Sequence, residues 1–309
     1  MSIDITDKQI LELEKKANKI RQLIIEMLLE AKSGHPGGPL GMADIFAALY
    51  FHLAKQDPKN PTWADRDRIV LSNGHICPVR YAAMALAGYF PTSELKTLRK
   101  IDSRLQGHPH RTALPGVETT SGPLGEGLSQ AIGIALAGQM DKKNYVVYAL
   151  TSDGEHQEGN TWEAAMMAGK LKLSNLIQII DRNYIQIDGS TEDVMPLEPF
   201  KAKYEAFNWA VLDIDGNNMR AIVDAVGEAK AIQDRPTIII ANTVPGKHVR
   251  KTHCPQGHPY EGDNLMLYGP RKEWRRCVTS NEEQQMRGRE KNRAKSRANA
   301  RRRYRENHA

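Results

Sequence analysis

Between residues 6 and 32 apolar side chains return every three or four positions (Ile10, Leu11, Leu13, Ile20, Leu23, Ile24, Met27, Leu28), which predicts a long amphipathic helix. The stretch SGHPGGPLG (33–41) interrupts it with glycine and proline, and MADIFAALYFHL (42–53) resumes a helical pattern. Further on, RIVLSNGH (68–75), YVVYALTSDG (145–154), NLIQIIDRN (175–183) and PTIIIANTV (236–244) read as short apolar strands ending in turns. TWEAAMMAGKLKL (161–173) and AIVDAVGEAKAI (221–232) read as helices, with the Met166/Met167 pair taken as core packing. Strands this continuously apolar are buried on both faces, so their alternation with helices predicts an α/β fold with a parallel sheet covered on both sides. After Gly246 the rhythm stops, and from Arg287 onward the chain is mostly Arg, Lys, Ala, Asn and Glu. Two domains are expected, 1–247 and 248–309.

Charge sharpens that boundary. The 309-residue chain has a formal net charge of +6, but residues 248–309 alone hold 16 Lys and Arg against 7 Asp and Glu. The remaining 247 residues hold 27 basic and 30 acidic groups, so a slightly acidic body carries a strongly basic tail. No run of eighteen apolar residues is present, and the charged opening MSIDITDKQILELEKKANKIRQ lacks the apolar core of a signal peptide. Three cysteines (Cys77, Cys254, Cys277) are too few for a disulfide framework. Together these point to a cytoplasmic protein with no membrane association.

The chemistry concentrates in SDGEHQEGN…IIDRNYIQIDG (152–189). Asp153 ends one apolar strand and Asn183, thirty residues later, ends the next. If the strands are parallel neighbours, both side chains reach the carboxyl edge, where open α/β sheets bind ligands. A carboxylate, an amide oxygen and a main-chain carbonyl suit a hard cation such as Mg2+, with phosphate oxygens completing the shell. Gly154 would let a diphosphate approach the backbone at a helix N-terminus. DG and DRN are also ordinary turn residues after strands, so spacing alone leaves a plain turn open as well.

The segment resembles the thiamine diphosphate signature of transketolases, an Asp-Gly followed about thirty residues on by Asn. The resemblance spans about residues 8–247, through SGHPGGPLG, DRIVLSNGH, GHPHRTALPGVETTSGPLGEGLSQAIGIALA and RPTIIIANTVPGK; Ser152 stands where the family often has Gly. Length and motif order look like the separately encoded amino-terminal subunit of a split transketolase. The resemblance implies a thiamine-diphosphate-binding fold, with Mg2+ held by Asp153, Asn183 and the main-chain carbonyl of Ile185. It implies Gly154 and His75 at the diphosphate, Ile187 and Leu124 near the thiazolium, and Gly122 by the aminopyrimidine. His35 and His108 would line the substrate channel as catalytic groups, and Glu158 would lie near the subunit contact. Imidazoles suit ketol transfer, which needs protons moved near neutral pH beside the cofactor's electron sink.

The resemblance also implies what is missing. The family completes its site with a pyrimidine-binding half that supplies a glutamate, so this chain alone is expected to be catalytically silent. A carboxyl-terminal partner subunit is implied, in a heterotetramer of two such pairs acting on sugar phosphates in the pentose phosphate pathway. The family's TVPGKG leads to a histidine in a WHG context, whereas GKHVRKTHC follows here and His248 and His253 do not match.

The tail segment HCPQGHPYEGDNLMLYGPRKEWRRCVTS resembles the zinc-binding module of phage-type HNH endonucleases. Cys254, His258 and Cys277 match its ligands, while Ser280 takes the fourth place and is a poor ligand for Zn2+. A small basic zinc-ribbon-like or helical tail is expected, with its arginine-rich end able to contact nucleic acid or to remain a solvated charged helix. The sequence thus reads as the amino-terminal subunit of a transketolase using thiamine diphosphate and Mg2+. The competing readings are a related thiamine-dependent ketol-transfer enzyme and a nucleic-acid-binding fusion with an inactive transketolase-like body.

Overall fold

In a computed structural model of the chain, residues 4–187 and 189–245 are described, together with the backbone of 265–268 and 274–277. The chain divides into two compact units, Met1–Lys247 and His248–Ala309. In the first, the strands are β1 (Arg68–Leu71), β2 (Val147–Ser152), β3 (Leu176–Arg182), β4 (Ile185–Gln186), β5 (Gly189–Ser190), β6 (Ala210–Asp215) and β7 (Thr237–Asn242). In the second, β8 (Leu265–Tyr268) pairs antiparallel with β9 (Trp274–Cys277). The zinc and nucleic-acid expectations for Cys254, His258, Cys277 and the basic arm concern side chains outside the described residues.

The first unit is an α/β fold. Its central sheet runs β1-β2-β3-β7-β6 with every pair parallel. The helices are α1 (Asp7–Ala31), α2 (Gly37–Gly41), α3 (Ala43–Ala48), α4 (Cys77–Ala87), α5 (Glu126–Met140), α6 (Gly159–Leu171), α7 (Thr191–Val194), α8 (Phe200–Ala206) and α9 (Met219–Ala231). Alternate strand residues supply two cores, as the pleat requires. Ile69, Leu71, Tyr148, Leu150, Ile177, Ile179 and Ile239 pack with α1, α3, α4 and α9. Val70, Val147, Ala149, Leu176, Ile180, Ile238 and Ile240 pack with α5, α6 and α8. The continuous apolar runs of the sequence are therefore strands buried on both faces.

Two features set up the loop that carries His35. Thr6 and Gln9 form a reciprocal capping box at the start of α1, and Lys32 closes the helix in the left-handed region. Arg21 then forms a buried ion pair with Asp44 at 2.5 Å and donates from Nε to the Leu40 carbonyl at 3.1 Å, tying α1 to α3 and to the SGHPGGPLG turn.

Two sequence expectations change. Met166 and Met167 are 56% and 45% exposed, because α6 turns Thr161, Ala164, Ala165 and Ala168 to the core and these two to the other side. Strand β6 escapes the hydrophobic pattern, since it is an edge strand of half-exposed residues broken by Asp213 and Asp215.

Two helix glycines give opposite expectations. A Cβ at Gly133 would meet nothing within 4 Å, whereas one at Gly169 would lie 1.8 Å from the Phe207 carbonyl oxygen. Chemical denaturation should show Gly133→Ala stabilising the chain by about 0.5–1 kcal/mol. Gly169→Ala should cost about 1–3 kcal/mol or more, through overpacking against a backbone that cannot retreat.

Candidate active site

Parallel pairing puts the chemistry at one edge. Leu71 is in register with Leu150, Ser152 with Asp181, and Asp181 with Ala241. The residues following each strand (Asn73–His75, Asp153–Glu155, Asn183–Ile185, Thr243) therefore emerge together at the carboxyl edge of the sheet.

Asp153 is fully buried. Its Oδ1 accepts the Gly154 amide at 2.7 Å, and its Oδ2 accepts the Tyr184 amide at 2.5 Å. Burial pushes its carboxyl up to about 7, against the pull of the Arg182 guanidinium. Asn183 follows β3, accepts the Ile185 amide on Oδ1 and donates from Nδ2 to Asp181 Oδ2, both at 2.9 Å. The Ile185 carbonyl faces Gly154, where a Cβ would stand 3.5 Å from its oxygen. Asp153, Gly154, Asn183 and Ile185 thus form one turn-on-turn contact.

The histidines form a second group on the neighbouring loops. The His35 and His75 rings meet edge to face with centroids 5.1 Å apart. His108 lies over Gly122, whose φ of 149° belongs to the region open to glycine, and a Cβ there would sit 3.6 Å from the His108 ring. His75 is half-buried beneath exposed His35 and His108. Burial lowers its pKa to about 4, with His35 and His108 adding to the effect. Burial and then Arg99 lower both His35 and His108 below the ordinary imidazole value. Gly38 lies between the groups, since a Cβ there would touch Ile76 at 2.7 Å and Asp181 Oδ2 at 3.6 Å. Leu124 is half-buried, while Ile187 (91% exposed) and Glu158 point to solvent in the isolated chain.

Several residues of this edge carry no sequence motif of their own. Glu155, 1% exposed, accepts from Ser72 Oγ, from the Gly125 amide at 2.7 Å and from the Ser152 amide at 3.3 Å. One carboxylate so pins the turn after β1, the turn before α5 and the end of β2. His156 donates from Nδ1 to the Ser152 carbonyl at 2.6 Å and accepts the Tyr204 hydroxyl on Nε2 at 2.8 Å, in the neutral form that burial enforces. Arg99 stands beside the two outer histidines, and Arg182 beside Asp153. The only sequence signal for Glu155 and Arg182 is a charged residue directly after or within an apolar strand.

These residues fit a metal-bound diphosphate with an attached ring system. Asp153, Asn183 and the Ile185 carbonyl are hard oxygen donors, and Gly154 leaves the backbone open beside them. Asn73 is fully buried with neither side-chain polar atom paired, and the Ser121 hydroxyl is likewise unpaired. Both flank Gly74, which packs so closely on Ser121 and Gly122 that a Cβ would lie 2.5 Å from Ser121 Oγ. Unpaired buried polar atoms at such a cradle match a polar ligand.

The family model described as "Transketolase, thiamine diphosphate binding domain" matches residues 13–284, continuing past Lys247 through Cys254, His258 and Cys277. The 6-deoxy-6-sulfo-D-fructose transketolase subunit SqwG of Clostridium sp. (strain MSTE9) is 47% identical over 240 residues, covering 78% of this chain and 87% of that one. An apulose-4-phosphate transketolase subunit of Phocaeicola vulgatus is 39% identical, covering 78% of this chain and 85% of that one. Among solved structures, transketolase from Leishmania mexicana superposes with a TM-score of 0.72 at 39% identity, covering 76% of this chain and 37% of that one. The chain therefore spans most of the subunit-type relatives but little more than a third of that longer enzyme.

The depressed pKa of His75 gives a direct check. Its folded value of about 4 lies below the ordinary imidazole value of 6.5, so it stays neutral through the physiological range. An NMR pH titration of the isolated chain should show the His75 ring shifts flat above about pH 5; a midpoint near the ordinary value would contradict the buried placement.

Proposed function

The chain belongs to the transketolase thiamine diphosphate-binding family, and on that premise we propose that it is the diphosphate-gripping subunit of a two-subunit enzyme moving a two-carbon ketol unit between sugar phosphates. The observation that carries this reading is the meeting of two strand-end turns, with Asp153 accepting the Tyr184 amide, the Ile185 carbonyl facing Gly154, and Asn183 accepting the Ile185 amide in the same turn. Relatives of the subunit type support a separate partner, because each is named as a subunit. We assign residues 1–247 to this role; the family match runs on to residue 284, into the second compact unit His248–Ala309.

In this reading Asp153, Asn183 and the Ile185 carbonyl hold Mg2+, and Gly154 and His75 meet the diphosphate. Gly122, Leu124 and Ile187 stand along the organic rings, and Ile187 becomes covered only when cofactor or partner is present. Thiamine diphosphate, when bound, supplies the electron sink for breaking a carbon–carbon bond beside a carbonyl. The neutral His75 donates or accepts a hydrogen bond without adding charge to the cradle. His35 and His108, at the exposed rim, can take a proton from a substrate hydroxyl and return it to a carbonyl oxygen. Their lowered pKa values keep them as neutral bases at pH 7. The partner supplies the pyrimidine-binding half, and two such pairs assemble as a heterotetramer. Among the described residues no helix is long and apolar enough to cross a membrane.

Thermal melting of the full chain tests the cofactor assignment. Thiamine diphosphate with Mg2+ at about a hundred times the dissociation constant should raise Tm by about 5 °C or more. Asp153→Ala should abolish the rise, and an equal rise in that variant would refute the metal assignment. Ketol transfer should be absent from the chain alone and appear on mixing with a pyrimidine-binding subunit; turnover without the partner would overturn the two-subunit reading.

A further inference from the structure

One buried cation beside the metal turn has no part in the roles above. Arg182 ends β3 with its side chain 1% exposed. Its Nη1 donates to Asp153 Oδ2 at 3.3 Å and to Thr191 Oγ1 at 3.1 Å, and its Nη2 donates to Glu192 Oε1 at 2.9 Å and Glu198 Oε1 at 2.7 Å. The guanidinium also lies 3.9 Å from the Tyr184 ring centroid and 5.4 Å from that of Phe200. Tyr184 is the residue whose amide donates to the same Asp153 oxygen.

The unequal distances decide what this cation does. Left with Asp153 alone, a buried guanidinium would close on it as a bidentate fork, taking both carboxylate oxygens out of use. Here the two outer carboxylates take Nη2, and Thr191 shares Nη1. Asp153 receives one contact, and that the longest of the four. Its Oδ2 is oriented from two sides, by Arg182 and by the Tyr184 amide, while the fork stays open. Glu192 also accepts the Leu197 and Glu198 amides at 3.2 and 3.3 Å, so the segment that restrains Arg182 is itself fixed.

We propose that Arg182, restrained by Glu192 and Glu198, is a positioning residue that sets the divalent-cation affinity of Asp153. The assignment rests on the cofactor reading above and extends it from the ligands to the groups behind them. Such supporting groups govern metal affinity because they fix the ligand atom before the metal arrives.

The test is calorimetric titration of Mg2+ into the full chain with saturating thiamine diphosphate, with Tm of the cofactor-free protein measured in parallel. Arg182→Lys keeps the charge but cannot span both sides of the fork, and should weaken Mg2+ binding about tenfold. Glu198→Gln, at a side chain 55% exposed, should leave the cofactor-free Tm within about 1 °C and still weaken Mg2+ binding, by less than Arg182→Lys. A lowered Tm with unchanged Mg2+ affinity in both variants would make Arg182 purely structural and overturn the assignment. If Arg182→Lys fails to fold, Glu198→Gln alone decides, since its unchanged affinity would be equally fatal. Wild-type protein showing no Mg2+-dependent binding of thiamine diphosphate would instead overturn the cofactor reading, and this assignment with it.

Discussion

A single buried carboxylate holds the working edge of the sheet together. Glu155 takes hydrogen bonds from Ser72, from the Gly125 amide and from the Ser152 amide, which belong to the turn after β1, the turn before α5 and the end of β2. Parallel strands leave their terminal turns independent of one another, because no hairpin links neighbours. Something must set the spacing between the turn that ends in His75 and the turn that begins with Asp153, and Glu155 does so from beneath both. The contact also explains the tolerance for a buried acid: burial pushes its carboxyl up, and three donors pull it back.

On one side, Asp153 is held by the amides of Gly154 and Tyr184, so β2 and the segment after β3 share a common carboxylate. On the other, the histidines run from half-buried His75, held neutral by burial, to exposed His35 and His108. His156 locks the same turn from behind through the Ser152 carbonyl, among the rings of Trp162, Phe200 and Tyr204. Ile187 and the methionines of α6 are apolar side chains left exposed to solvent.

Much of this was legible in the sequence because the physics is local. The strands buried on both faces announce themselves as unbroken apolar runs, and Asp153 and Asn183 stand at the ends of two such runs. The edge strand β6 does not, because half its surface is wet and its pattern carries two aspartates. Glu155 and Arg182 do not stand out in the sequence. A charged residue next to Asp-Gly, or inside Asp-Arg-Asn, ordinarily marks a solvated turn, and burial at 1% exposure arises only once the strands are stacked in register. Met166 and Met167 err the other way: their hydrophobicity suggests the core, but the face chosen by the small residues of α6 leaves them outside.

The most direct measurement is a crystal structure of the chain with thiamine diphosphate and Mn2+, using the anomalous signal of the metal to locate it. One strong anomalous peak is expected within about 2.0–2.4 Å of a carboxylate oxygen of Asp153, the side-chain oxygen of Asn183 and the Ile185 carbonyl, with the diphosphate over Gly154. A peak elsewhere, or a diphosphate bound away from Gly154, would contradict that assignment.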